Sequence, residues 1–368
     1  MIFKINNKKL IDILSPLIGA IDKKQSIPVL SHFLIEVKDS QIKAISSDMD
    51  IQVQSVARLE TIKEEGKATV VADKLFSLIK TFEDDDELSI TTEDEIFVIT
   101  TKDNNTFKIN SLNPAEYPLV TPDENLKNIT TDRQLFLDVV NNVRSTMADN
   151  DARYYLNGMY IDIKNNNTIV VAADGHRLTK SYIINKMEDF SNSCIIPRKA
   201  VLELVRILSS DASENINILF SDNFLSIKTQ NIDFVTKVIN GTFPDYENVI
   251  PVLNNNSLIL DLNKIKKALN KISILVDDEF PSVRFTVGKN KLILKTNNTD
   301  KQQANISMDF NYEGQEIDTG FNVKYLLDIL GHIKTKNVIF NLKDGNSSCL
   351  IRNDGDNKTS FVIMPLVL

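Results

Sequence analysis

The chain has 368 residues, 42% of them hydrophobic and 25% charged, with a net charge of −8 at neutral pH. Such a length suits two or three domains of an ordinary globular protein rather than one core. A disulfide scaffold is excluded, because Cys194 and Cys349 are far apart and outside CxxC spacing, and no run approaches the roughly 18 apolar residues of a membrane span. The opening MIFKINNKKLIDIL has no signal-peptide core, and the two cysteines read as free thiols, so a cytoplasmic location and no membrane partner are expected.

In chain order, a first helix is expected over 8–24, where Leu10, Ile13, Leu14, Leu17 and Ile18 keep the 3.6-residue period and Pro16 bends it. TVVADKLFSLI then opens a helix over 73–80, the acidic run at 83–86 is a solvated turn, and ELSI and EIFVIT read as strands. After the Pro- and Asn-rich NPAEYPLVTPDEN, a helix over 132–147 turns Phe136, Val139, Val140 and Val143 inward, with Thr131 as its cap. Strand NTIVVAA, a helix over 198–206 within CIIPRKAVLELV, and strands NINILF and FLSIKT complete that stretch. Beyond GTFPDYENVIPVLNNN come a helix over 264–271 on Leu262, Ile265, Leu269 and Ile272, strands VRFTV and KLILKT, a helix over 322–336 and strand NVIFNL.

The elements repeat. Lys74, Lys199 and Lys324 occupy one position of a shared strand–turn–helix pattern at intervals of 125 and 125, and Phe107, Phe234 and Phe361 open strand-like runs at intervals of 127 and 127. Two landmarks of nearly equal period imply three copies of one unit. The domains are taken as 1–122, 123–252 and 253–368. Each combines two helices with mostly antiparallel strands, so the fold class is α+β.

Charge follows the same division. The six helical segments together carry +11, and with −8 overall the remainder carries −19. Lysines favour any solvated helix face, but six equivalent basic helices imply one shared positive surface suited to a phosphate backbone without base readout.

Phosphate loops, HExxH, GxSxG and Cys-rich metal motifs are absent, and His32, His176 and His332 lie far apart, so no catalytic residue, metal or cofactor is expected. The best enzymatic candidate is DGHR at 174–177, where Asp and His could form an acid–base pair; a tight turn at Gly175 is the simpler reading.

The motifs RYYLNG (153–158), ADGHRL (173–178), PRK (197–199), FPDY (243–246) and MPL (364–366) occur in the order and spacing of the bacterial DNA polymerase III beta subunit, the family this chain resembles over its whole length. The resemblance implies three clamp domains per subunit, closed head-to-tail into a dimeric ring. Its helices would face DNA and its sheets would form the outer layer. The ring would be a non-catalytic processivity factor holding double-stranded DNA by topology.

By position, the resemblance assigns DNA contacts to Lys24, Asn150, Arg153, Tyr154, Tyr155, Arg198 and Lys199, and the repeat lysine Lys74 joins them. It implies one pocket for short peptides of the DNA polymerase III catalytic subunit, the clamp loader, and other polymerases and repair proteins. Leu156, Ala173, Gly175, His176, Arg177 and Leu178 would form one side. Pro244, Val249, Val362, Met364 and Ser348 would form the other. Asn248 and Asn346 stand where relatives often carry an arginine and an apolar residue, so peptide preference is expected to differ. Phe107 and Ile109 would meet Ile274 and Leu275 of a second copy, between stretches (103–106 and 300–305) that are mainly uncharged. Two other classes remain open on the residues alone: an enzyme acting through DGHR, and a monomeric three-repeat scaffold that binds only proteins.

Overall fold

The computed structural model describes residues 1–21, 27–121, 127–164, 166–184, 191–253, 256–297 and 302–366. Its α-helices are α1 (Asn7–Leu14), α2 (Ala72–Ile79), α3 (Arg133–Val143), α4 (Arg198–Ser210), α5 (Leu262–Ile272) and α6 (Val323–His332). In every repeat the first helix starts from the last residue of a strand, whose side chain caps it. Asn6 accepts from the Lys9 N–H at 3.4 Å, Asp132 from Leu135 at 2.7 Å and Asp261 from Lys264 at 2.9 Å. Thr131, expected as the second cap, instead lies buried in the preceding strand Lys127–Asp132; the charged Asp132 takes the role.

Helix ends differ from expectation in both directions: α4 and α5 run past the expected 198–206 and 264–271, whereas α1, α3 and α6 fall short of 8–24, 132–147 and 322–336. The first helix stops at Leu14 and tightens into a 3₁₀ turn over Ser15–Ala20, because Pro16 has no N–H for an α-helical bond. The third likewise passes into 3₁₀ structure at Arg144–Thr146.

Every strand pairing is antiparallel among the described residues, and two compact units result. One comprises Met1–Leu137 with Lys199–Val238, the other Asp138–Arg198 with Ile239–Leu368. The middle repeat is divided between them because its two sheets belong to different larger sheets. In the first unit, middle-repeat strand Ile232–Lys237 pairs with Ile51–Arg58 of the first repeat, making one eight-stranded sheet. In the second, Arg177–Ile184 pairs with Asp356–Ile363 of the third repeat in the same way. The registers correspond: Phe234 faces Val53, and Phe361 faces Thr179. Each unit also holds a smaller sheet, of five strands ending at Thr106–Asn110 and of four ending at Gln303–Asp309.

The third repeat shows what holds a unit together. Ile265, Leu269 and Ile272 of α5 and Leu326, Ile329 and Leu330 of α6 pack on Phe285, Phe321 and Phe340 of the sheets. Each such side chain contributes about 1.5–3 kcal/mol on removal from water.

Candidate client cleft and nucleic-acid surface

The second unit carries an apolar cleft of about 180 Å³. Its floor is Leu156, Leu178 and Val362, all under 5% exposed, and its mouth is Pro244, Val249 and Met364. Strand pairing places Leu178 opposite Val362, which brings residues nearly two hundred positions apart in sequence side by side. The Met364 N–H donates to the His176 carbonyl at 2.9 Å and pins the last strand over the 174–177 turn.

Local chemistry shapes this turn. Asp174 accepts from the His176 and Arg177 N–H groups at 2.9 and 3.0 Å, an arrangement that stabilises a tight turn. Gly175 has φ +89°, which favours glycine, and a side chain there would have to push the Arg153 guanidinium aside. Arg177 binds Asp174, Asp328 of α6 and the Ser145 carbonyl, and lies 4.3 Å from the Tyr325 ring centre. It therefore locks the middle and third repeats together beneath the cleft. The Asp174 carboxylate is committed to backbone and Arg177, and the His176 ring stacks on Tyr325 at 6.4 Å. The acid–base pair weighed for DGHR does not form.

Nine of the thirteen expected pocket residues line the cleft: Leu156, Ala173, Gly175, Arg177, Leu178, Pro244, Val249, Val362 and Met364. His176 contributes its backbone, Asn248 donates to Asp245 at 2.7 Å, and Asn346 and Ser348 lie outside the lining. Two residues read as DNA contacts, Arg153 and Tyr155, line the cleft, as do Phe243 and Tyr246, which sequence reasoning missed as pocket residues. FPDY was their signal. Phe243 stacks on Tyr160 at 4.9 Å, and the Tyr246 hydroxyl donates to Asp162 at 2.7 Å, which fixes the wall on which Pro244 rides. Arg153 forms a salt bridge with Asp151 and holds that carboxyl well down, to about 2.

The other candidate DNA contacts are dispersed. Asn150 is exposed in the left-handed region (φ 58°), Tyr154 is 56% exposed, and Lys74 is exposed on α2. Arg198 donates to the Met147 carbonyl at 3.0 Å, and Lys199 pairs with Asp48. Lys24 lies outside the described residues. No metal-binding group of His, Cys, Asp and Glu, and no helix long and apolar enough to cross a membrane, occurs among the described residues.

Three α+β repeats sharing antiparallel sheets, with basic helices and an apolar cleft in place of an acid–base site, define a clamp-type protein rather than an enzyme. Models of the DNA polymerase III beta subunit match in chain order: the N-terminal domain at 1–121, the central domain at 130–245 and the C-terminal domain at 247–367. The beta sliding clamp of Haemophilus influenzae is 33% identical over 370 residues, and that of Escherichia coli 28% over 369, with both chains covered completely in each case. Crystal structures of the Pseudomonas aeruginosa DNA polymerase III subunit beta (28% identical) and of its sliding clamp bound to griselimycin (29%) each superpose with a TM-score of 0.96, covering 100% of both chains. The chain belongs to the DNA polymerase III beta subunit family, the beta sliding clamps, which are non-catalytic processivity factors.

Proposed function

We propose that two copies of this chain close head-to-tail around double-stranded DNA, through the repeats taken as 1–122, 123–252 and 253–368. Short peptide segments of the replicative polymerase, the clamp loader, and other polymerases and repair proteins would enter the cleft. The observation that carries the reading is the pair of open edges. Strands Thr106–Asn110 and Gln303–Asp309 each end a sheet, whereas their repeat counterparts are paired: Ile232–Lys237 with Ile51–Arg58, and Asp356–Ile363 with Arg177–Ile184. Continuing that register sets Phe107 opposite the partner subunit's Asn305. Exposed edges invite association, and a second copy would cover both.

Of the four expected contact residues, Ile109 is already buried in its own subunit and Phe107 packs on Phe82 at 5.4 Å. Ile274, 78% exposed, offers the larger free apolar surface, with Phe280 (72%) nearby in the chain. Ile274→Ala with Leu275→Ala should therefore convert the dimer into a folded monomer at micromolar concentration, as read by sedimentation. Wild-type protein loaded onto nicked circular DNA should remain bound and should slide off once the DNA is linearised. Equal retention on both forms, or a double variant that stays dimeric, would sink the proposal.

A further inference from the structure

Among the described residues, helix α5 carries more exposed cations outside ion pairs than any of the other five. Its buried side is Ile265, Ala268, Leu269 and Ile272, which leaves Lys264, Lys267 and Lys271 exposed in a row. The i, i+3, i+7 spacing spreads three ammonium groups over about 10 Å of helix. Among the described residues none of the three is in an ion pair, and the cap Asp261 is occupied by the Lys264 N–H.

Elsewhere most helix cations are engaged, Lys9 of α1 and Lys74 of α2 being single lysines outside ion pairs on their helices among the described residues. Lys199 pairs with Asp48, Arg206 with Glu203 at 2.8 Å and Lys324 with Asp278 at 3.0 Å, while the Arg133 and Arg198 guanidinium groups donate to main-chain carbonyls. The exposed side of α3 reads Gln134 and Leu135 and presents no cation. A lysine already paired must exchange one anion for another, so little is gained when a phosphate arrives. A free lysine instead contributes through release of the DNA's condensed counterions.

We infer that α5 is the main phosphate-contacting face of this chain, so that duplex DNA bears chiefly on the third repeat and less on the middle-repeat loop at 150–155. The inference rests on the clamp reading given above. Three flexible point charges without hydrogen-bond acceptors suit it, because they neutralise any sequence equally and let the duplex slide.

The test uses the full-length dimer and a short linear DNA duplex, with the binding constant followed by fluorescence anisotropy as salt is varied. Lys264→Gln, Lys267→Gln and Lys271→Gln together should lower the slope of log K against log salt by roughly 2 to 5, since each phosphate neutralised by a lysine is worth about 0.9 and the two subunits carry the three lysines each. A control removes the same charge from exposed sheet lysines of the same repeat, by Lys289→Gln, Lys291→Gln and Lys295→Gln, and should leave the slope unchanged. The triple Lys→Arg variant of α5 keeps the charge and should match wild type, which separates electrostatics from helix damage. If the α5 and control variants lower the slope equally, or neither lowers it, the assignment to α5 is overturned while the clamp reading stands. Wild-type protein without salt-dependent duplex binding would overturn the clamp reading itself.

Discussion

The cleft of the second unit and its repeat counterpart in the first unit have equivalent backbones and opposite chemistry. Shifting the cleft residues back by 126 or 127 positions turns Leu156 into Leu30, Gly175 into Met49, Leu178 into Gln52, Phe243 into Tyr117 and Met364 into Lys237. Met49 adopts the left-handed conformation at φ 74° and packs against the cluster of Leu30 and Tyr117. The Gln52 amide bonds the Val120 N–H and carbonyl at 2.8 and 3.1 Å, tying down the segment that would form the far wall. Lys237 pairs with Asp50 at 3.1 Å. A recognition site thus arises here from a few residue choices on a repeated scaffold: glycine leaves room, leucine leaves an apolar floor, and methionine leaves an adaptable lip.

Reciprocal substitutions would test that contrast most severely. Leu178→Gln puts an amide without partners into a site that is 4% exposed, which should cost about 1–3 kcal/mol and weaken a Leu- and Phe-bearing client peptide at least tenfold by calorimetry. Gln52→Leu strands both Val120 groups and should cost a similar amount in chemical denaturation, with peptide affinity unchanged. If Gln52→Leu changes peptide binding as much as Leu178→Gln does, the two sites are not distinct in function.

Gly175→Ala is expected to act less strongly. The strained φ should cost about 1–2 kcal/mol, and displacement of the Arg153 guanidinium should loosen the rim, seen as a faster peptide off-rate. Met49→Ala is the matching change in the first unit, and it should not create peptide binding while Gln52 holds Val120.

The smallest effect concerns pH. Burial holds His332 below its ordinary value of 6.5, with Arg144, Arg177 and Lys334 adding to the shift and Asp328 opposing it. The unfolded chain then takes the proton first. Stability should decline as pH falls below 6.5 and level off beneath the depressed folded value. His332→Gln should flatten the Tm profile in that window; a residual slope of the same sign is expected from His32, which burial also depresses.

Much of this was legible from periodicity. The three-fold repeat, the six helices and the antiparallel α+β class follow from local spacing, which a single sequence displays. Helix ends did not: Thr131 and Asp132 are both competent caps and both pair in the sheet, and only the burial of Thr131, which leaves Asp132 to accept from Leu135, decides between them. The cleft was reached through motif resemblance, not physics, since Leu178 meets Val362 only across a strand pair. Arg153 and Tyr155 show the same limit from the other side. Their loop is closed by Asn157, whose side chain bonds both main-chain groups of Asp151 at 2.9 and 2.8 Å, and that closure turns them toward the cleft.

The division of the middle repeat between two sheets has a consequence for how the chain is made. Strand Arg177–Ile184 pairs on one side with Asn167–Ala173, but its other edge is covered only by Asp356–Ile363, about 180 residues later, so a nascent chain leaving the ribosome carries an open strand edge for about half of its synthesis. The same geometry means that a fragment cut after the second repeat would end in a naked sheet border. Vectorial synthesis therefore cannot finish this molecule one repeat at a time; the last eight-residue strand to emerge is the one that seals the middle.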